Sequence, residues 1–223
     1  TLRNAGNTTP YGLWSDGTTM WVVNNSTGDS DKIFAYTLAR GTRDADKDIN
    51  ALNGAGNNFP IGLWSDGTTM WVGDDNDDKV YAYTLATGAR DIAKEFDLDD
   101  DNSTPVGLWS DGTTMWVVNS GTGDSDKIFA YTLATGARDT AKEFDLDDDN
   151  SNPVGLWSDG TTLWVSDLAT IQIYAYTLNG GARNAGKEIK RSNSGISRGF
   201  WSDGIALWFI DSNADLFAHF LDN

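Results

Sequence analysis

Apolar and polar positions alternate along this chain in short runs of strand length, each closed by a turn, and residues 105–146 show the unit. Gly107-Leu108-Trp109-Ser110 follows Pro105 and predicts a first strand, A, since proline is tolerated at a strand's first residue. Asp111-Gly112 then predicts a two-residue hairpin turn, because glycine accepts the positive φ that tight turns need. Thr113 to Val118 is β-branched and aromatic and predicts strand B. A polar loop, Asn119 to Asp126, leads to strand C, Lys127 to Leu133, where aromatic and small residues alternate as in a half-buried strand. Ala134 to Arg138 turns the chain, and Lys142 to Leu146 predicts a short strand D. No segment carries a helical period.

The unit recurs. Copies begin at Pro10, Pro60, Pro105 and Pro153, with a degenerate fifth from Arg198, and the repeat cores span about 10–52, 60–98, 105–146, 153–189 and 198–221. The first tryptophan of each copy stands at 14, 64, 109, 157 and 201, and all 10 tryptophans belong to the motif, paired seven apart. Four antiparallel strands repeating at about 40–50 residues predict the blade of a β-propeller. The fold class expected is therefore all-β: one five-bladed propeller over residues 1–223. A single blade cannot bury both faces, and the paired tryptophans are expected to supply the packing between blades. The last copy stops at strand C, Leu216 to Leu221, and Thr1-Leu2 aligns with Ala51-Leu52, so the N-terminus is expected to close the ring beside the C-terminal strand. That edge strand is a candidate for self-association.

Composition then removes function classes. There is no cysteine, which excludes disulfides and thiolate sites, and one histidine, His219, which alternates with Phe217 and Leu221 and reads as a core or edge residue. A net charge of −17 argues against a nucleic-acid partner. No run reaches the length needed to span a bilayer, and Thr1 to Pro10 lacks the pattern of a signal peptide.

The repeat Pro-x-Gly-Leu-Trp-Ser-Asp-Gly-Thr-Thr-Met-Trp-Val, followed by Asp-Lys-Ile-Phe-Ala-Tyr, resembles the repeats of NHL and YWTD-like propellers. It is also similar to tryptophan-rich repeats of bacterial surface proteins, which implies an extracellular or cell-surface setting. The Pro-x-Gly and Asp-Gly-x-x-Trp pattern is similar to streptogramin lyase as well. That resemblance implies a catalytic histidine and a bound magnesium ion, and His219 is the single histidine available.

Propeller topology places D–A and B–C connections on one rim, here the upper, and A–B and C–D turns on the other, the lower. The upper rim collects Asp97, Asp99 and Asp101, then Asp145, Asp147 and Asp149, with the B–C stretch Asp74 to Asp78 beside them. The i, i+2, i+4 spacing of each triplet is that of an early calcium loop, and clustered carboxylates suit a hard divalent cation, so calcium is a candidate cofactor and no other is expected. The rest of an EF-hand is missing, with Asn102 at the turn glycine and Leu108 at the bidentate glutamate, and the alternative is a solvated acidic loop. Arg43, Arg90, Arg138 and Arg183, with Lys47, Lys94, Lys142 and Lys187, are expected on the lower rim, offsetting the aspartates of the five Ser-Asp-Gly turns. Those turns themselves read as turn chemistry. Asn7, Asn25 and Asn102 each open a glycosylation-acceptor triplet.

No nucleophile–base pair or phosphate loop stands out, and near-identical copies suit a surface presented several times. The expectation is a non-enzymatic extracellular or cell-surface module for adhesion, binding or assembly, with surface proteins or glycans as partners. The alternatives are a lectin with sites between blades near the B–C loops, and a lyase or hydrolase at the central channel.

Overall fold

The computed structural model describes residues 2, 6–26, 31–50, 52, 56–121, 126–190, 198–211 and 213–220. It is a five-bladed β-propeller with strands in the order A-B-C-D from the axis outward. Blade 1 holds β1 (Pro10–Ser15), β2 (Thr19–Asn24) and β3 (Lys32–Thr37), with Ile49 bridging Ile33 in the outer position. Blade 2 holds β4 (Pro60–Ser65), β5 (Thr69–Asp74), β6 (Lys79–Thr84) and β7 (Phe96–Asp97). Blade 3 holds β8 (Pro105–Ser110), β9 (Thr114–Asn119), β10 (Lys127–Thr132) and β11 (Phe144–Asp145). Blade 4 holds β12 (Pro153–Ser158), β13 (Thr162–Asp167), β14 (Gln172–Thr177) and β15 (Ile189–Lys190). Blade 5 holds β16 (Gly199–Ser202), β17 (Ala206–Ile210) and β18 (Leu216–Phe220).

Strand B starts at Thr114, one residue later than the sequence suggests, because the A–B turn is wider than a two-residue hairpin. Asp111 Oδ1 accepts the N–H groups of Thr113 and Thr114 (both 2.8 Å), and Ser110 Oγ donates to the Thr114 carbonyl (2.6 Å) while accepting from Gly112 N (3.0 Å). Gly112 sits at φ 90°. The same side-chain-to-backbone knot closes the Ser15, Ser65, Ser158 and Ser202 turns. The expected strand D shrinks to two residues, since residues 138–143 are spent on a bridge from Arg138 to Tyr131 and a turn.

The core is five clusters, each between adjacent blades, as two half-buried sheets require. Trp21 joins Ile49, Val72 and Tyr83 between blades 1 and 2, and Trp71 joins Phe96, Val117 and Tyr131 between blades 2 and 3. At the axis the strand-A glycines allow backbone to meet backbone: a Cβ on Gly12 would lie 2.6 Å from the Ile61 carbonyl, and one on Gly199 2.2 Å from the Tyr11 carbonyl. This last contact closes the ring between blades 5 and 1. Leu2 adds to it, donating its N–H to the Ala214 carbonyl (2.9 Å) as Leu98 does to Asp78 (2.7 Å). The N-terminus thus meets blade 5 at the corner ahead of β18.

Candidate functional site

The acidic D–A loops lie where expected, but the cations that face them are the protein's own. Asp99 Oδ1 and Asp101 Oδ2 accept from Arg138 Nη1 at 2.6 and 2.9 Å, and Asp147 and Asp149 accept from Arg183 Nη1 at 2.6 and 2.8 Å. Asp97 accepts from Lys79 Nζ at 3.0 Å, while Asp145 is exposed and pairs across the ladder with Lys127. Among the described residues no three acidic or histidine side chains converge as a metal cage. Calcium at these loops would compete with Arg138 and Arg183. These two arginines do not sit on the lower rim with the lysines; each reaches from its own C–D segment to the linker of the preceding blade, a long-range pairing that sequence spacing does not reveal.

Arg138 is held from the other side by Glu143, through Nε–Oε1 (2.7 Å) and Nη2–Oε2 (3.0 Å), and its guanidinium stacks 4.8 Å over Phe129. Burial pushes the Glu143 carboxyl up, yet the bonds from Arg138 and Lys127 outweigh burial and hold it below the usual carboxylate range. One stretch of the upper rim lacks such balance. In the B–C loop of blade 2, burial and then repulsion from Asp78 and Asp74 push Asp75 up to about 6, and Asp78 is raised for similar reasons.

Two acceptor triplets prove to be structural. Asn7 and Asn102 are fully buried, as are their repeat mates Asn57 and Asn150, so neither side chain is open to a glycosyl transfer. Asn102 Nδ2 donates to Tyr131 Oη (3.1 Å) and Asn150 Nδ2 to Tyr176 Oη (3.2 Å), tying each D–A loop to strand C of the blade it enters. His219 lies exposed on β18.

The first tryptophans, Trp14, Trp64, Trp109, Trp157 and Trp201, ring the axis around a cavity of about 40 Å³, room for little more than a water. Each of the first four packs against its partner seven residues on, at 5.2–5.4 Å between centroids and with the ring planes 28–35° apart. The second tryptophans carry more chemistry. Trp21, Trp71 and Trp116 are each 4% exposed, and their Nε1–H groups are buried without an acceptor. In blade 4 the equivalent Trp164 donates to the Lys187 carbonyl (3.3 Å). In blade 5 the equivalent Trp208 lies near the Asp203 carboxyl, which burial raises but which the Ala206 and Ile205 N–H groups, with Trp208, bring below its ordinary value; the Trp208 Nε1–H is nonetheless buried without an acceptor at hydrogen-bond distance. Both cases aim the indole N–H at the lower rim. There, between blades 1 and 2, lies a groove of about 330 Å³ lined by Trp21, Asp16, Asp46, Lys47, Leu85 and Thr87, among others.

This groove is the candidate site. It pairs an apolar floor with an orphan donor, three carboxylates (Asp16, Asp46 and Asp48) and an ammonium group, which is what a pocket for a polar, ring-bearing ligand requires. Lys47 is steadied by Thr19 Oγ1 (2.8 Å), and burial of Asp16 is outweighed by the Thr19 and Thr18 N–H groups, keeping it ionised. The lectin alternative read from the sequence placed its sites near the B–C loops, on the opposite rim. The seven-residue spacing of the tryptophans pointed to packing between blades, and Trp21, Trp71 and Trp116 do pack there; their unanswered donors were not legible in it.

No protein-family model matches the chain, and no curated protein matches it. Solved structures share its fold. The chain is similar to a chain of a nidogen/laminin complex, with a TM-score of 0.66 and 18% identity over 96% of this chain and 77% of that one. It is similar to Myxococcus xanthus glutaminyl cyclase, with a TM-score of 0.66 and 11% identity over 97% of this chain and 93% of that one. It is also similar to a catalytically inactive virginiamycin B lyase from Staphylococcus aureus with quinupristin, with a TM-score of 0.58 and 20% identity over 96% of this chain and 66% of that one. At such identities the likeness shows the propeller fold alone.

These neighbours overturn the expectation of a non-enzyme. Two of the three are enzymes, so the fold is one on which catalysis occurs. The uniformity of the blades describes the strands that pack them together, whereas catalytic groups stand on the connecting loops, where a few residues are enough.

Proposed function

We propose that this propeller is a recognition module of a surface or extracellular assembly, binding a hydroxyl-rich ligand, a glycan, in the blade-boundary groove of the lower rim. The observation that carries the reading is the buried Trp21 Nε1–H, left without an acceptor beside a 330 Å³ groove flanked by Asp16, Asp46 and Lys47. A buried donor without a partner costs free energy unless something accepts from it, and a sugar hydroxyl offers both an acceptor and a ring face for indole. Recurrence of the orphan donor at Trp71 and Trp116 suits repeated, avid binding to a multivalent surface. The likeness of the repeats to those of bacterial surface proteins supports the extracellular setting.

The test is a glycan array probed with wild-type protein and with Trp21→Phe, which keeps the ring and removes the donor, each with calcium and with chelator. Selective binding by wild type, about tenfold weaker in the variant for loss of one buried hydrogen bond, is the expected result. Loss in chelator would add calcium to the site. A blank array sinks the glycan reading. Protein recognition, favoured by the likeness to a chain of a nidogen/laminin complex, would then take its place.

A further inference from the structure

The C–D turns of blades 1 to 4 share one frame, and blade 4 departs from it at Asn179-Gly180-Gly181. In the other three blades the residue at the place of Gly180 bends its N–H back to the strand. Arg40 donates to the Thr37 carbonyl (3.3 Å), Thr87 to that of Thr84 (3.3 Å) and Thr135 to that of Thr132 (3.1 Å). Gly180 has φ 93°, a left-handed backbone open to glycine, and its N–H meets no acceptor among the described residues. The turn is held instead by the Thr177 hydroxyl, which donates to the Asn179 carbonyl (3.3 Å). Asn179 and Gly180 are both exposed, and nothing lies within 4 Å of where a Cβ on Gly180 would be.

An asparagine followed by glycine can react with its own backbone, because no Cβ shields the glycine nitrogen and the two groups are neighbours on one chain. The Gly180 nitrogen gives up its proton and bonds to Asn179 Cγ, while the Cγ–Nδ2 bond breaks and ammonia leaves with that proton. Water then opens the succinimide at either carbonyl, giving aspartate or an isoaspartate whose main chain runs through the side-chain carbon. The fold guards the comparable Asp-Gly pairs. At all five the glycine N–H is tied to a serine Oγ at 3.0 Å. Each aspartate Oδ1 also accepts two main-chain N–H groups at 2.7–2.8 Å. The other Asn-Gly pair of the chain, Asn53-Gly54, lies outside the described residues.

We propose that Asn179-Gly180 is a self-modifying site, passing through a succinimide to aspartate and isoaspartate, and that the isoaspartyl form loosens the boundary between blades 3 and 4. Gly181, next in the chain, lies so close to Phe144 of blade 3 that a Cβ on it would fall 2.2 Å from the Phe144 Cγ. Phe144 in turn packs against Tyr176 of blade 4 (6.0 Å). Isoaspartate lengthens the main chain by a methylene two residues ahead of this contact, whereas aspartate adds only a charge to the lower rim.

The test is to age the whole protein in warm, mildly alkaline buffer and digest it beside a fresh sample. Trypsin cuts after Lys142 and Arg183, so the peptide 143–183 carries Asn179-Gly180 together with Asn150 and Asp159-Gly160 as internal references. Mass spectrometry with electron-transfer fragmentation locates each change and tells isoaspartate from aspartate. In the folded protein Asn179 is expected to convert at least about tenfold faster than Asn150, with Asp159 unchanged; in urea Asp159 should begin to isomerise as its serine bond is lost. Gly180→Thr copies blades 2 and 3 and is expected to slow conversion at least about tenfold. The self-modifying site is overturned if Asn179 converts no faster than Asn150, if Gly180→Thr reacts at the wild-type rate, or if folding leaves Asp159 unprotected. Aged wild type should melt below Asn179→Asp, which carries the charge on an unlengthened chain, while Asn179→Ala, the residue of the other three blades, should melt the same before and after ageing. Aged wild type that melts with Asn179→Asp overturns the link to the blade boundary. No ligand enters any readout, so these outcomes are separate from the glycan reading.

Discussion

Blades 3 and 5 carry the same A, B and C strands in the same register, and their third strands fare differently. In blade 3, Ile128, Phe129, Ala130 and Tyr131 are all 2% exposed or less, because β11 covers one edge of β10 and the neighbouring blade its face. In blade 5 the aligned Leu216 and Phe217 are half-exposed, and Ala218 and His219 are open to solvent. Strand pairing alone therefore does not bury a propeller blade. A two-residue outer strand does it, by sealing the ladder and dropping one large side chain into the next blade.

The difference is sharpest on deletion of an aromatic ring. Phe129→Ala should cost about 3–5 kcal/mol in urea denaturation, the usual range for a buried phenylalanine, and Phe217→Ala less than half of that. Equal costs would mean that blade 5 is sealed after all. A smaller effect separates two glycines at matching places in blades 3 and 1. Gly136→Ala adds a Cβ 2.2 Å from Phe96 and should lose about 2–3 kcal/mol, whereas Gly41→Ala bears only the left-handed strain of about 1 kcal/mol. Matching melting points for these two variants would break the comparison.

The smallest effect concerns the B–C loop of blade 2. Asp75 is raised from 3.8 to about 6, chiefly by burial and then by Asp78 and Asp74. Between those pH values the folded chain keeps a proton that the unfolded chain has released, so stability falls as pH rises through the window and is flat above it. Asp75→Asn should therefore raise the melting point at pH 7, with the gain vanishing below about pH 4. Glu143 has the opposite sign: held below its usual range, it contributes above that range and is lost on acidification. A gain for Asp75→Asn that persists into acid would refute the repulsion.

Much of this was legible beforehand. The period of the Gly-Leu-Trp-Ser-Asp-Gly unit gave five blades, and the Asp-Gly turns proved to be turn chemistry, because both are local: a strand needs its own alternation and a turn its own side-chain acceptor. The fate of Asp99, Asp101, Asp147 and Asp149 was not legible. Their i, i+2 spacing is compatible with a cation loop, but Arg138 and Arg183, which now hold them, lie 34–39 residues away and approach only once neighbouring blades are docked. Asn102 was hidden for the same reason, since its triplet is an acceptor by sequence and a buried clasp on Tyr131 by structure.

The sequence by itself determined the strands, the turns, the number of blades and the identity of the residues that recur, because periodic burial and left-handed glycine turns are properties of short segments. Only the tertiary structure decided which rim offers a groove, which carboxylates keep an arginine and which tryptophan donors stay unanswered. Those depend on what the adjacent blade places opposite each side chain, which no short segment encodes.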